Sequence, residues 1–337
     1  MKSLRLYGPG DLRLVDEAVP EPGADDELVR VTAVGICGSD LHWYAESAIG
    51  DAVLTTPLVL GHEAGGVIES GPQRGRRVAI DPAMPCGTCE QCLAGRGHLC
   101  TAIKFAGHGT TDGTMREFAA WPRRSLVPVP DSLSDEDIAV LEPLGVALHA
   151  VRLAQIRPGA RVGVFGCGPI GQFLIQLARV SGATAIVATD VLDHRLAAAR
   201  EAGATATALV SGGSERDELL AATGGHGVDA AFEVAGEDDA LDTAIAIAAP
   251  AGTVVVVGIP SHDKTSFTAS TARRKGLTIK LSRRMNRVYP EVIRLVEAGL
   301  VDVRTVVTSS HPLTEFKAAF DTASARVGLK VIVRPSE

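Results

Sequence analysis

The sequence predicts an α/β chain of two parts: a β-rich, turn-punctuated part and a doubly wound parallel sheet. Three observations predict it. The length of 337 residues is too great for one small core and suits two domains. Up to about residue 142, short valine-rich runs are broken by glycine and proline. Beyond that point apolar β-branched runs alternate with helical patterns, as strands buried on both faces of a parallel sheet do.

In the first part, "DELVRVTAVGIC" (26–37) alternates partly and reads as a strand. "PLVLGHEAGGVIESG" (57–71) is a strand interrupted by glycines, and "RRVAIDPAMPC" (76–86) is a strand entering a Pro-rich loop. Strands at this spacing suggest an antiparallel, barrel-like domain. In the second part "RVGVFG" is a buried strand, and "GPIGQFLIQLARVSGA" is a helix closed by Gly182. "AIVATD" is the next strand, and "LDHRLAAAREAGA" is a helix closed by Gly203. "VDAAFEVAG", "TVVVVGIP" and "LTIKL" follow as strands with alanine-rich helices between them. After about Arg283 the helix "YPEVIRLVEAGLV" and the strand "KVIVRP" return to the first part. The expected organisation is therefore a split domain, 1–146 and 284–337, with 147–283 inserted.

Composition narrows the function. Apolar residues make up 46% and charged residues 22%, ordinary for a globular chain, while aromatic residues are only 4%, so aliphatic side chains must fill the cores. Acidic residues outnumber basic ones 40 to 33, a net charge of -7 that argues against a general nucleic-acid binder. No apolar run is long enough to span a bilayer, and "MKSLRLYGPGDLRLVDE" lacks the apolar stretch of a signal peptide. A cytoplasmic, reducing location follows as the default, where clustered cysteines more often bind metal than pair. Against the overall acidity, seven basic residues and no acidic one fall between Arg273 and Arg287. They form either a solvated face or a contact for an anionic ligand, a substrate hydroxyl or a neighbouring subunit.

The segment Gly166-Cys167-Gly168-Pro169-Ile170-Gly171 is a G-x-G-x-x-G turn. It follows an apolar strand and opens a helix, the context that gives this motif meaning. Gly166 allows the tight turn, Gly168 lets backbone approach a pyrophosphate, and Gly171 permits close helix–strand packing. The helix N-terminus beginning at Pro169 and Ile170 offers N–H groups to phosphates. Asp190 ends the next strand, where a carboxylate accepts ribose hydroxyls and repels a 2′-phosphate. NAD is therefore expected over NADP, with Arg195 close by to soften that preference. Cys167 reads as packing.

Cys86, Cys89, Cys92 and Cys100 are spaced C-x2-C-x2-C-x7-C. Four thiolates on a short loop suit a closed, structural tetrahedral zinc, with disulfides, an iron–sulfur cluster and free thiols as alternatives. "GICGSDLHWY" contributes Cys37, Ser39, Asp40 and His42, and "GHEAGG" contributes His62 and Glu63. One Cys, one His and one carboxylate supply the three protein ligands of an open zinc site.

"GICGSDLHWY", "GHEAGGVIESG", "PCGTCEQCLAGRGHLC", "LEPLGVALHA" and "VFGCGPIG" together resemble the zinc-dependent medium-chain dehydrogenases, over essentially the whole chain. Within that family the resemblance is to the polyol branch, the sorbitol (L-iditol) dehydrogenases and their bacterial relatives. It implies a GroES-like catalytic domain and a Rossmann domain, two Zn2+ per chain (one catalytic, one structural), NAD, and a homotetramer or homodimer. It further implies that Cys37 and His62 bind the catalytic zinc, with Glu63 and Glu142 sharing or exchanging the remaining position. Glu142, beside Pro143, can also be read simply as a helix-start acid. Ser39 and His42 would form a proton relay, and Asp40 would orient His62. Arg283 and Phe118 would contact substrate. The implied reaction is oxidation of a secondary alcohol of a polyol to a ketose. Two departures qualify the match. The cysteine cluster is complete here, whereas animal sorbitol dehydrogenases lack it, which moves the chain toward bacterial polyol, idonate and threonine dehydrogenases. "FRYCN" of the animal enzymes reads "SRRMN", adding Arg284, a cation that favours an acidic substrate such as L-idonate or L-threonine. A zinc-stapled nucleotide- or nucleic-acid-binding protein is the non-enzymatic alternative. On the enzymatic reading the partner is a small molecule, with no nucleic acid and no membrane.

Overall fold

The computed structural model describes residues 1–261 and 263–337. The chain divides into two compact units: Met1–Pro143 with Tyr289–Ile293 and Val306–Glu337, and Leu144–Val288 with Arg294–Thr305.

The first unit is built on β1 (Lys2–Gly8), β2 (Asp11–Asp16), β3 (Asp26–Gly35), α1 (Gly38–Glu46), β4 (Glu63–Ile68), β5 (Arg77–Ile80), β6 (Phe118–Pro122) and β7 (Leu126–Pro128). The helix α2 (Leu141–Ala154) begins in it with Leu141 and Glu142. The long strand β3 alternates buried and half-buried residues along its first seven positions and is fully buried over its last three. Such a strand can pair on both sides, and β3 has β4 along one edge.

The second unit follows. Its strands and helices are β8 (Arg161–Phe165), α3 (Pro169–Val180), β9 (Ala185–Asp190), α4 (Asp193–Ala202), β10 (Ala206–Leu209), β11 (Val228–Glu233), α5 (Asp238–Ile247), β12 (Ala248–Val256) and β13 (Thr278–Leu281). All six strands run parallel in the order β10-β9-β8-β11-β12-β13. The strand order reverses beside β8, the topological point where doubly wound sheets bind ligands. Gly203 caps α4 in the left-handed conformation, as its position after the helical run predicts.

The chain ends with α6 (Tyr289–Glu297), β14 (Val307–Pro312) and β15 (Lys330–Arg334). The last strand enters the first unit's main sheet, whose order is β7-β5-β4-β3-β15-β14 with β6 also paired to β3. Every pairing here is antiparallel except β14 with β15, a parallel edge that the strand spacing does not disclose. The core of this unit gathers Leu4, Val31, Trp43, Leu60, Ile80 and Phe320, and low aromatic content is offset by close-packed aliphatic side chains.

Arg294–Thr305 belongs with the second unit, although the sequence alone groups it with the first. Gln176 of α3 explains this: its amide donates to the Asp302 carbonyl at 3.2 Å and accepts the Asp302 N–H at 2.8 Å. A buried glutamine that satisfies backbone on both its ends fastens the segment to its own unit. The basic run is partly consumed by helix ends. The Lys275 ammonium donates to the carbonyls of Ile245 and Ala246 in the last turn of α5 and of Ala248 just after it, and Lys280 donates to the Leu153 carbonyl at the end of α2.

Candidate functional site

Strand register assembles the open donor group in the first unit. Gly35 at the end of β3 lies opposite Glu63 at the start of β4. Cys37, just past one strand, is thereby brought beside His62, just before the other. One ligand atom from each of Cys37, His62 and Glu63 lies within 4.8 Å of the others. Only glycine fits at 35, because a Cβ there would overlap the Glu63 carboxylate.

Asp40 fixes the geometry from the first turn of α1. It is fully buried and accepts the N–H groups of Cys37 and Gly61, both at 3.0 Å. One carboxylate thus ties together the two loops that carry the donors. His62 Nδ1 lies 3.6 Å from Asp40 Oδ1, so Nε2 is left to face the donor group. Burial works against charge on both partners. Their mutual attraction prevails, and with hydrogen bonds it holds Asp40 below and His62 well above the usual values. Ser39 and His42 sit three residues apart on α1, on one helix face, and both are half-buried. Glu142 is buried at the start of α2. Burial pushes its carboxyl up to about 8; Glu63 and Asp81 add to the rise, while His62 and Lys330 oppose it.

The four-cysteine loop is a separate group. Cys86, Cys89, Cys92 and Cys100 also place their sulfurs within 4.8 Å of one another. The Cys86 and Cys92 sulfurs are 3.9 Å apart, against an edge of about 3.8 Å for a tetrahedron with ~2.3 Å zinc–sulfur bonds. Hydrogen bonds from Thr88 and the Cys89 N–H pull the Cys86 thiol down to about 6, while burial and the neighbouring thiols push Cys92 up to about 12, so the loop favours one thiolate before a metal is bound. None of the six cysteines is in a disulfide. Both donor sets suit zinc: a closed all-thiolate set and an open thiolate, imidazole and carboxylate set.

In the second unit Gly166 follows β8 with φ 111°, and a Cβ on Gly171 would overlap the Gly166 carbonyl. Gly168 caps α3, with Pro169 and Ile170 opening the helix. Asp190 is buried; its two oxygens accept the N–H groups of Cys167 at 2.7 Å and Leu192 at 3.0 Å. Each oxygen keeps a second acceptor site. Arg195 reaches the same loop, its Nη1 lying 3.7 Å from where a Cβ on Gly168 would stand. Arg283 is exposed just past β13, and Arg284 is half-buried with φ 55°.

Phe118 lies away from these donors. It pairs with Arg30, midway along β3 and seven residues before Cys37, roughly 20 Å away at ~3.3 Å per residue. The aromatic ring beside the donors is Phe105, whose centre is 5.4 Å from that of His62. Its loop is held there because Gly107 packs against the backbone of Leu60 and Gly61. Sequence reasoning also passes over three polar groups, two buried (Lys330 and Tyr289) and one half-buried (Asp81). Lys330 Nζ lies 2.7 Å from Glu63. Burial lifts Asp81 to about 6, and the Tyr289 hydroxyl donates to the Ile80 carbonyl at 3.1 Å. A lysine opening the valine-rich run "KVIVRP" is the one advance signal among them.

Comparison with known proteins agrees with this geometry. Residues 23–131 match the family described as alcohol dehydrogenase GroES-like domain, and residues 169–298 match zinc-binding dehydrogenase. A sorbitol dehydrogenase of Bacillus subtilis is 33% identical over 100% of this chain and 98% of its own. The sorbitol dehydrogenase of Bos taurus is 36% identical over 98% of this chain and 95% of its own. Among solved structures, L-idonate 5-dehydrogenase from Escherichia coli superposes with a TM-score of 0.91 at 27% identity, covering 99% of this chain and 97% of its own.

Proposed function

We infer a polyol substrate from one premise: this chain belongs to the zinc-binding dehydrogenases that carry a GroES-like alcohol dehydrogenase domain. A secondary hydroxyl of a sorbitol- or xylitol-like polyol is oxidised to a ketone, with NAD reduced. The observation that carries this reading is the convergence of Cys37, His62 and Glu63 in an open donor set.

When bound, zinc supplies a Lewis acid for the substrate hydroxyl and NAD supplies the hydride acceptor. Cys37 and His62 hold the metal, and Glu63 and Glu142 share the third protein position. Asp40 keeps His62 in one orientation. Ser39 Oγ takes the proton released by the substrate hydroxyl and His42 hands it outward. The face that α1 gives both side chains supports this path. Gly166, Gly168 and Gly171 admit the pyrophosphate to the start of α3. The free acceptor sites of Asp190 suit the two ribose hydroxyls, and its charge disfavours a 2′-phosphate; Arg195 moderates that bias. Arg283 contacts substrate hydroxyls. A sugar acid is the second reading, favoured by Arg284 beside it and by the likeness to L-idonate 5-dehydrogenase. A cytoplasmic location and a homotetrameric or homodimeric assembly complete the proposal. Six unpaired cysteines suit that compartment.

Initial rates of NADH formation on sorbitol, xylitol, L-idonate and L-threonine test the reading. Turnover of sorbitol or xylitol well above the other two is expected. Preference for idonate moves the assignment to the second reading, and turnover of none contradicts both.

A further inference from the structure

Lys330 opens β15, and the register places it across from Cys37. Ile332 pairs with Gly35, and the Ile36 N–H donates to the Val331 carbonyl at 2.9 Å. Its side chain is 4% exposed and that of Glu63 1%. From this position Lys330 Nζ donates to Glu63 Oε1 at 2.7 Å and to the Ile36 carbonyl at 3.0 Å; it is also 2.7 Å from Glu63 Oε2. One ammonium therefore joins the residue before Cys37 to the residue after His62. A buried cation in such a place requires a carboxylate partner, and the carboxylate equally requires the cation.

One Glu63 oxygen is among the atoms offered to a metal, and Lys330 Nζ lies 2.7 Å from both oxygens of that carboxylate. A partner that accepts a hydrogen bond from a ligand strengthens it as a donor. One that donates to it, as Lys330 does to Glu63, draws charge away and weakens it. We propose that Lys330 is a resident counter-cation for this centre, a positioning residue that holds Glu63 and the Cys37 loop in place before the metal arrives and then competes with it for Glu63. The proposal rests on the reading of Cys37, His62 and Glu63 as ligands. Two consequences follow. Lys330 makes the third protein donor labile, which leaves room for exchange with Glu142. It also lets the metal-free chain keep its donor loops assembled, since one buried positive charge already offsets Glu63.

The test is the time course of zinc release from zinc-purified protein to a chromophoric chelator, for wild type, Lys330→Met, Lys330→Arg and Cys37→Ser. The Cys37→Ser variant identifies the phase belonging to the open site, because the four-cysteine loop releases separately. Lys330→Met is expected to slow that phase roughly tenfold, the scale on which groups around a ligand alter metal affinity. Lys330→Arg, which keeps the charge, is expected to restore fast release. Thermal unfolding gives the second readout. Metal-free Lys330→Met melts well below metal-free wild type, and the two zinc-saturated proteins melt together. Release from Lys330→Met as fast as wild type, or faster, overturns the proposal. So does a Lys330→Met chain that fails to fold in excess zinc, because the metal should then supply the missing charge. If Cys37→Ser removes no release phase, the ligand reading fails instead.

Discussion

Replacing Gly35 by Ala should empty the open metal site without touching the nucleotide loop. The added Cβ overlaps Glu63 Oε2 and lies 3.2 Å from both Cβ and Cδ of Glu63, so the clash is with the whole side chain. Neither neighbour yields easily. Glu63 is pinned by Lys330 at 2.7 Å, and separating a buried pair costs about 3–5 kcal/mol. Gly35 itself is paired on both sides, to Glu63 and to Ile332, so the strand cannot shift alone. Backbone adjustment around an overfilled site costs about 1–3 kcal/mol, and the cheaper response sets the result. A loss of about 2–3 kcal/mol is expected, a drop in melting temperature of roughly 5–10 °C for a unit of this size. Zinc content by atomic absorption should fall from two per chain to one. NADH affinity by fluorescence titration should be unchanged, because Gly166 and Asp190 belong to the other unit. A Gly35→Ala protein that keeps both zincs and melts with wild type refutes the reasoning.

Gly171→Ala is the complementary case: its Cβ overlaps the Gly166 carbonyl, so NADH binding should weaken at least tenfold while zinc stays at two per chain, by titration and metal analysis. Cys92→Ser should lose the structural zinc and raise the aggregated fraction in size-exclusion chromatography, because the thiolate loop around it has little apolar content of its own. Asp81→Asn should flatten part of the pH dependence of stability. Burial lifts Asp81 from 3.8 to about 6, opposed by the Ala83 N–H. A raised carboxyl favours folding only while protonated, so its contribution is complete below about pH 4 and disappears as pH rises through about 6. Denaturant unfolding should therefore show Asp81→Asn gaining on wild type by up to about 3 kcal/mol between those limits and pH 7. A constant difference across that range would contradict the assignment.

Much of the fold is legible in sequence because its signals are local. The glycine turn at 166–171, the alternation of β-branched runs with helices and the left-handed Gly203 each announce themselves within a dozen residues. The parallel β14–β15 edge is not legible, because nothing in "VTSSHP" distinguishes one strand direction from the other. At the site, Cys37 and His62 are found by residue type and glycine context. Phe118 could not be placed from sequence, because an aromatic on a strand carries no record of its distance from a ligand. Phe105 reaches His62 only through the close packing of Gly107 on the Leu60–Gly61 backbone. Lys330 is 267 residues from Glu63 in sequence, and only the β3–β15 register brings the two together.

The most direct measurement is zinc content and sorbitol turnover of Cys37→Ser beside wild type. One zinc in place of two, with turnover lost and NADH still bound, is the expected result. A variant that retains both zincs, or that still oxidises sorbitol at the wild-type rate, contradicts the assignment of the open metal site.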